Sequence, residues 1–267
     1  MKTLSRLYNA LIFLFLYAPI VVLIIFSFND SKNRVIWHGF TTRWYVDLFD
    51  NDLILRSLRV TLIVAVLAAL AATIIGTAAA VGIHKMNGKL RQVFMSVNNI
   101  PMVNPEIVTG ISMMLMFVFI FRATGWLQPG FTTLLLSHIT FCIPYVVLQV
   151  MPKLRQMNPH MFEAALDLGC PPLKAFFRVM LPEIMPGVIT GALMAFTMSL
   201  DDFVISYFNA GSTAQTLSVT IYSMTKKPVT PEINALSTLM FGAVLLLLLI
   251  VNIRQIRDES KQRKMRV

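Results

Sequence analysis

The chain has 267 residues, of which 56% are hydrophobic and 13% charged. Soluble domains average about 45–50% apolar and about 25% charged, so this composition excludes an ordinary soluble protein and requires lipid as a solvent. The net charge is +10. Lys and Arg flank apolar runs as membrane topology demands, and no groove-reading motif accompanies them, which argues against nucleic acid.

A spanning helix needs about 20 apolar residues. The first such run, 7–28, follows Lys2 and Arg6. It is too long for a signal-peptide core and has no small-residue cleavage site after it, so it reads as an uncleaved span. The segment 29–57 places Trp44 with Leu48 and Tyr45 with Phe49 at helical spacing. That pattern predicts a short amphipathic helix lying at the membrane interface, or alternatively a contact with an external partner protein.

The second span, 58–83, is rich in Ala and Gly, which permit close helix approach. A basic turn follows at 84–91. The third, 93–121, is interrupted by Asn98, Asn99, Pro101, Asn104, Pro105 and Glu106. Broken helices are tolerated in a membrane only where they face protein or water, so this span is expected to line the interior. The fourth is 131–151, with a kink predicted at Pro144. It contains His138, expected as polar glue between helices. A long polar stretch, 152–183, precedes the fifth span, 184–208, and the sixth is 233–253. Cys142 and Cys170 have no disulfide or metal spacing and read as packing residues.

The expected fold is therefore all-α, one transmembrane domain over 1–267 with six helices. Six spans place both termini on one side. If that side is the cytoplasm, its segments hold fifteen of the 23 Lys and Arg, as the positive-inside rule requires. The basic tail at 254–266 is then placed to meet anionic lipid headgroups.

The loop 152–183 carries the sharpest motif: Glu163-Ala164-Ala165, then Gly169, then Val179, Leu181 and Pro182. Asn158 suits an N-cap with Pro159 at the first helical position. Glu163 falls early in the helix, where negative charge is favoured. Gly169 suits a left-handed stop, and Pro171-Pro172 a new start. This pattern resembles the EAA loop of MetI-like ABC importer permeases. Further segments are similar to the PotC-type spermidine/putrescine permeases within that family. They include Gly39-Phe40-Thr41-Thr42-Arg43-Trp44-Tyr45, Leu136-Ser137-His138, Ser199-Leu200-Asp201-Asp202 and Ile221-Tyr222-Ser223-Met224. The departures are Glu106 after Pro105, the 84–91 turn, and the basic pair Lys226-Lys227.

The resemblance implies that Glu163, Ala164, Ala165 and Gly169 form a coupling site for an ATPase present in two copies. It also implies a second homologous permease, an extracellular substrate-binding protein, and residence in the bacterial cytoplasmic membrane. No GxxxxGK[ST] sequence is present, so ATP and Mg are expected on the partner ATPase, with no cofactor and no enzymatic activity on this chain. For a cationic substrate, the intramembrane acids Asp201 and Asp202 are the first candidates for the path. Adjacent helical residues diverge by about 100°. One acid is then free to face the path while the other pairs with a cation or caps a helix break. Glu106 is the next candidate, and Tyr222 offers an aromatic face for cation–π contact. The alternatives are an importer for another small solute or a secondary cation transporter. The latter predicts paired inverted repeats with matching broken helices.

Overall fold

The computed structural model describes residues 2–31, 36–226, 232–246 and 249. The helices are α1 (Lys2–Phe26), α2 (Arg43–Phe49), α3 (Asp52–Lys85), α4 (Gly88–Val103), α5 (Glu106–Thr124), α6 (Phe131–Gln156), α7 (Pro159–Asp167), α8 (Pro172–Ala175), α9 (Leu181–Asp201), α10 (Val204–Asn209) and α11 (Leu217–Thr225). A further apolar helix, α12, covers Glu232–Leu246. Five described stretches are long and apolar enough to cross a membrane: Tyr8–Phe26, Asp52–Lys85, Glu106–Thr124, Phe131–Gln156 and Pro172–Asp201. The predicted sixth span runs past α12 and ends outside the described residues.

The chain divides into a terminal unit, 1–55 with 221–267, and a central unit, Arg56–Thr220. In the terminal unit, α1 leaves Leu11, Leu14, Phe15 and Leu16 exposed, an apolar surface that water does not suit. Asn29 fixes the loop that follows. Its side chain donates to the Ile36 carbonyl and accepts from the His38 N–H, both at 2.9 Å. Its carbonyl accepts from Trp44 Nε1 at 2.8 Å. Trp44 and Leu48 are buried, which corrects the expectation of an interfacial face on α2. A buried indole N–H needs an acceptor, and Asn29 supplies one inside the protein.

In the central unit α6 is the axis. Van der Waals packing must hold helices together in lipid, because lipid tails are as apolar as the side chains themselves. Small residues at four-residue spacing achieve this. A Cβ on Gly187 would lie 2.8 Å from the Gln149 carbonyl, and one on Gly191 3.2 Å from Val146. On the opposite helix, a Cβ on Gly76 would lie 2.8 Å from Val146 Cβ. Fully buried Val146 is thus wedged between α3 and α9. Ala69, Ala72 and Ala80 of α3, Val147 and Val150 of α6, and Ala195 of α9 complete the core.

Three boundaries differ from the sequence expectation. The third stretch is two helices: Asn104 is extended before Pro105, ending α4 and restarting the chain as α5 at Glu106. The 84–91 turn shrinks to the Met86–Asn87 link between α3 and α4. The fifth helix starts early, because α8 passes through a π-helical turn at Phe176–Met180 straight into α9. It also stops early: Asp202 is extended, and the chain re-forms as α10.

Candidate functional site

Two sites carry the sequence-predicted residues of the central unit. The first is the hairpin of α7 and α8. The Asn158 side chain accepts from the His160 N–H at 3.0 Å, capping α7 with Pro159 at its start. At the other end Gly169 has φ +80°. Its N–H bonds the Leu166 carbonyl at 2.9 Å, and the Cys170 N–H bonds the Ala165 carbonyl at 3.0 Å. These paired bonds are a Schellman stop, which satisfies the carbonyls the helix end would otherwise orphan. Phe162 and Phe176 pack against the core, and the Lys85 ammonium lies 5.2 Å from the Phe162 ring centre.

So anchored, the hairpin presents Glu163, Ala164 and Gly169 to the outside, with Ala165 half-buried. His160 Nδ1 sits 3.3 Å from a Glu163 carboxylate oxygen. Leu168, Leu173 and Phe177 are also exposed, Leu168 by 89%. Three outward apolar side chains thus stand on the same hairpin as an exposed acid. The sequence motif drew attention to the acid and the small residues and left these apolar side chains unread.

The second site is the break between α9 and α10. Asp202 is buried and closes the start of α10. Its carboxylate accepts from the Ser206 N–H at 2.7 Å and the Ile205 N–H at 3.2 Å. His138 Nε2 is 3.5 Å from the same carboxylate. His138 bridges the break, with Nδ1 2.7 Å from Ser199 Oγ on α9 and Nε2 3.0 Å from Ser206 Oγ on α10. Below it Asn209 donates to the Gly110 carbonyl of α5 at 3.2 Å, and Thr133 of α6 donates to the Asn209 carbonyl at 2.9 Å. A Cβ on Gly110 would lie 3.2 Å from the Phe208 ring, so the small residue also lets α5 and α10 pack closely.

The two adjacent acids therefore separate. Asp202 is the cap of a helix break. Asp201, the last residue of α9, is exposed and makes no hydrogen bond or ion pair among the described residues. Glu106 is likewise exposed at the start of α5, where the helix dipole favours a carboxylate. Tyr222 belongs to the terminal unit. Its ring face is taken by Lys226, whose ammonium stands 4.7 Å from the ring centre. Lys227 lies outside the described residues.

Comparison with known proteins gives this geometry a family. The chain is 45% identical over 235 residues to the Putrescine transport system permease protein PotI of Escherichia coli (strain K12), covering 87% of this chain and 83% of that one. It is 39% identical over 251 residues to the Spermidine/putrescine transport system permease protein PotC of the same strain, covering 94% and 92%. In fold it is similar to a bacterial ABC transporter involved in the import of the acidic polysaccharide alginate. The TM-score is 0.74 over 96% of this chain and 95% of that one, at 18% identity. The same kind of transporter has been solved in complex with an alginate pentasaccharide-bound periplasmic protein, with a TM-score of 0.73, 18% identity, and coverage of 94% and 91%. Residues 72–257 match the family described as Binding-protein-dependent transport system inner membrane component. That match, with relatives this near in sequence over nearly the whole chain, makes the protein a multi-pass membrane permease belonging to that family.

Proposed function

We propose that the chain is one permease subunit of an ATP-driven polyamine importer in the bacterial cytoplasmic membrane. Both termini and the α7–α8 hairpin face the cytoplasm. The observation that carries the substrate assignment is the free, exposed carboxylate of Asp201 at the end of α9, beside the helix break, in a chain whose relatives are named for putrescine and spermidine. Asp201 ends the apolar stretch Pro172–Asp201 and has no protein partner among the described residues, which leaves its charge available to a substrate. A cationic substrate is the complementary one.

In this reading a binding protein delivers the polyamine from outside. This chain and a second, similar permease enclose the path. Asp201 and Glu106 attract the ammonium groups as they pass. Asp202 keeps its place as the cap that aims Asp201. The Tyr222 face admits a substrate ammonium only when Lys226 moves off it. Two ATPase subunits hold ATP and Mg and grip the hairpins at Glu163, Ala164, Ala165 and Gly169, with Leu168 seated against them. The two ends of the hairpin are rigid stops. A push on α7 is therefore delivered to α9 through Phe176–Met180 and on to the break at Asp202.

The test is uptake of labelled putrescine and spermidine in cells lacking their own importer, supplied with this chain and its accompanying transport genes. Uptake that depends on the chain and falls with Glu163→Ala at unchanged membrane level supports the assignment. No uptake of either amine while an ATPase still co-purifies would retire the substrate and keep the permease.

A further inference from the structure

On the hairpin side of the central unit, α4 and α6 enclose an open cavity of about 290 Å³ lined by Met95, Leu148, Met151, Pro152, Arg155 and Gln156. A water occupies about 30 Å³ of liquid, so the cavity has room for a length of hydrocarbon. Its walls have a polarity gradient set by the helix directions. Chain α4 runs away from the hairpin and α6 runs toward it. Arg91 is one turn before Met95 and Arg155 one turn after Met151, so each arginine shares a face with a wall residue and both stand at the hairpin end.

This cationic mouth has no acid of its own. Residues 84–103 and 131–158 contain Lys85, Lys89, Arg91, Lys153 and Arg155 and not one Asp or Glu. Arg91 is held by neutral carbonyls, those of His84 at 2.5 Å and Met86 at 3.2 Å. Its Nε is buried and without an acceptor among the described residues. Loose surface cations swing out to water, but this one is fixed in place by the end of α3. Above is an unneutralised pair of arginines; below is an apolar slot between two helices. That is the profile of a phosphodiester on top of an acyl chain. A protein carboxylate would answer the arginines and leave the slot empty.

We propose that the α4–α6 groove is a binding site for an anionic phospholipid, with the acyl chain along Met95, Leu148 and Met151 and the phosphate between Arg91 and Arg155. The inference rests on the membrane placement of the fold and not on the polyamine assignment, because binding is read without transport. Sites of this kind, basic pockets between spanning helices at the cytoplasmic surface, select lipids by headgroup charge.

The experiment is native mass spectrometry of the purified complex, permease with its partner subunits, extracted from membranes containing phosphatidylglycerol and phosphatidylethanolamine. Wild type is expected to retain phosphatidylglycerol that an excess of inorganic phosphate does not displace. Each of Arg91→Gln and Arg155→Gln should cut retention about fivefold, the factor for one basic residue at an anionic lipid surface. Met95→Trp should abolish it with both arginines present, because the slot is filled. Lys174→Gln, an exposed charge on the hairpin, should leave it unchanged. The proposal is overturned by equal retention in wild type and Arg91→Gln/Arg155→Gln, or by equal loss in Lys174→Gln. It is likewise overturned by phosphate displacing the adduct, or by wild type carrying no lipid because a partner subunit fills the groove. Arg155 is exposed, so Arg155→Gln alone carries the test should the double variant not assemble.

Discussion

The hairpin and the helix break both hold an acid near a helix start, yet they are built by opposite means. Around Glu163 every determinant lies within about a dozen residues along the chain: Asn158 and Pro159 start the helix, Gly169 stops it, Pro172 begins the next. Around Asp202 the determinants come from α5, α6, α9 and α10, and His138 reaches its two serine partners across 61 and 68 positions of sequence. The first site, in the proposed reading, is a lever exposed to a partner. The second is a buried polar joint whose disruption reaches into the core. In that reading a local motif transmits force and a distributed one sets geometry, and substitutions should separate them.

The largest effect is expected at the joint. Asp202→Leu orphans the Ile205 and Ser206 N–H groups, and each unsatisfied buried donor costs about 1–3 kcal/mol. The thermal unfolding midpoint of the purified complex should drop sharply, whereas Glu163→Leu on the lever should leave it unchanged. Next come the small residues that let the joint's helices meet. Gly187→Leu overpacks against Gln149 and should cost about 1–3 kcal/mol, seen as a loss of membrane-inserted protein. Gly82→Leu is the matched control, because a Cβ there meets nothing within 4 Å.

On the lever, Gly169→Ala forces a non-glycine residue into the left-handed region, at about 1–2 kcal/mol. Uptake should fall while the unfolding midpoint of the complex barely moves. The smallest effect is expected at the surface. Lys226→Gln removes an exposed cation–π contact worth about 0.5–1 kcal/mol. Stability should hardly change, with the unfolding midpoint of the complex staying close to that of wild type.

The same contrast explains what was legible in the sequence. Spans, the broken third stretch and the hairpin follow from apolar length, proline placement and caps, all local. The acid pair was legible only as two options, because which carboxylate turns inward depends on where α10 restarts and where His138 stands. The interfacial expectation for α2 failed for a related reason. Amphipathic spacing shows that Trp44 and Leu48 need cover, but the cover came from the Asn29 turn rather than from lipid. The π turn at Phe176–Met180 has no signal in the sequence that we can identify, and it is what joins the hairpin to α9.

The central claim is that the adjacent acids have divided roles, Asp201 for the substrate and Asp202 for the joint. The direct measurement is polyamine uptake into proteoliposomes against substrate concentration, with the unfolding midpoint taken on the same preparations, for Asp201→Asn and Asp202→Asn. The account predicts that Asp201→Asn raises the half-saturating concentration severalfold at wild-type stability, and that Asp202→Asn lowers the midpoint. Equal loss of stability in both, or an unchanged concentration dependence in Asp201→Asn, would contradict it.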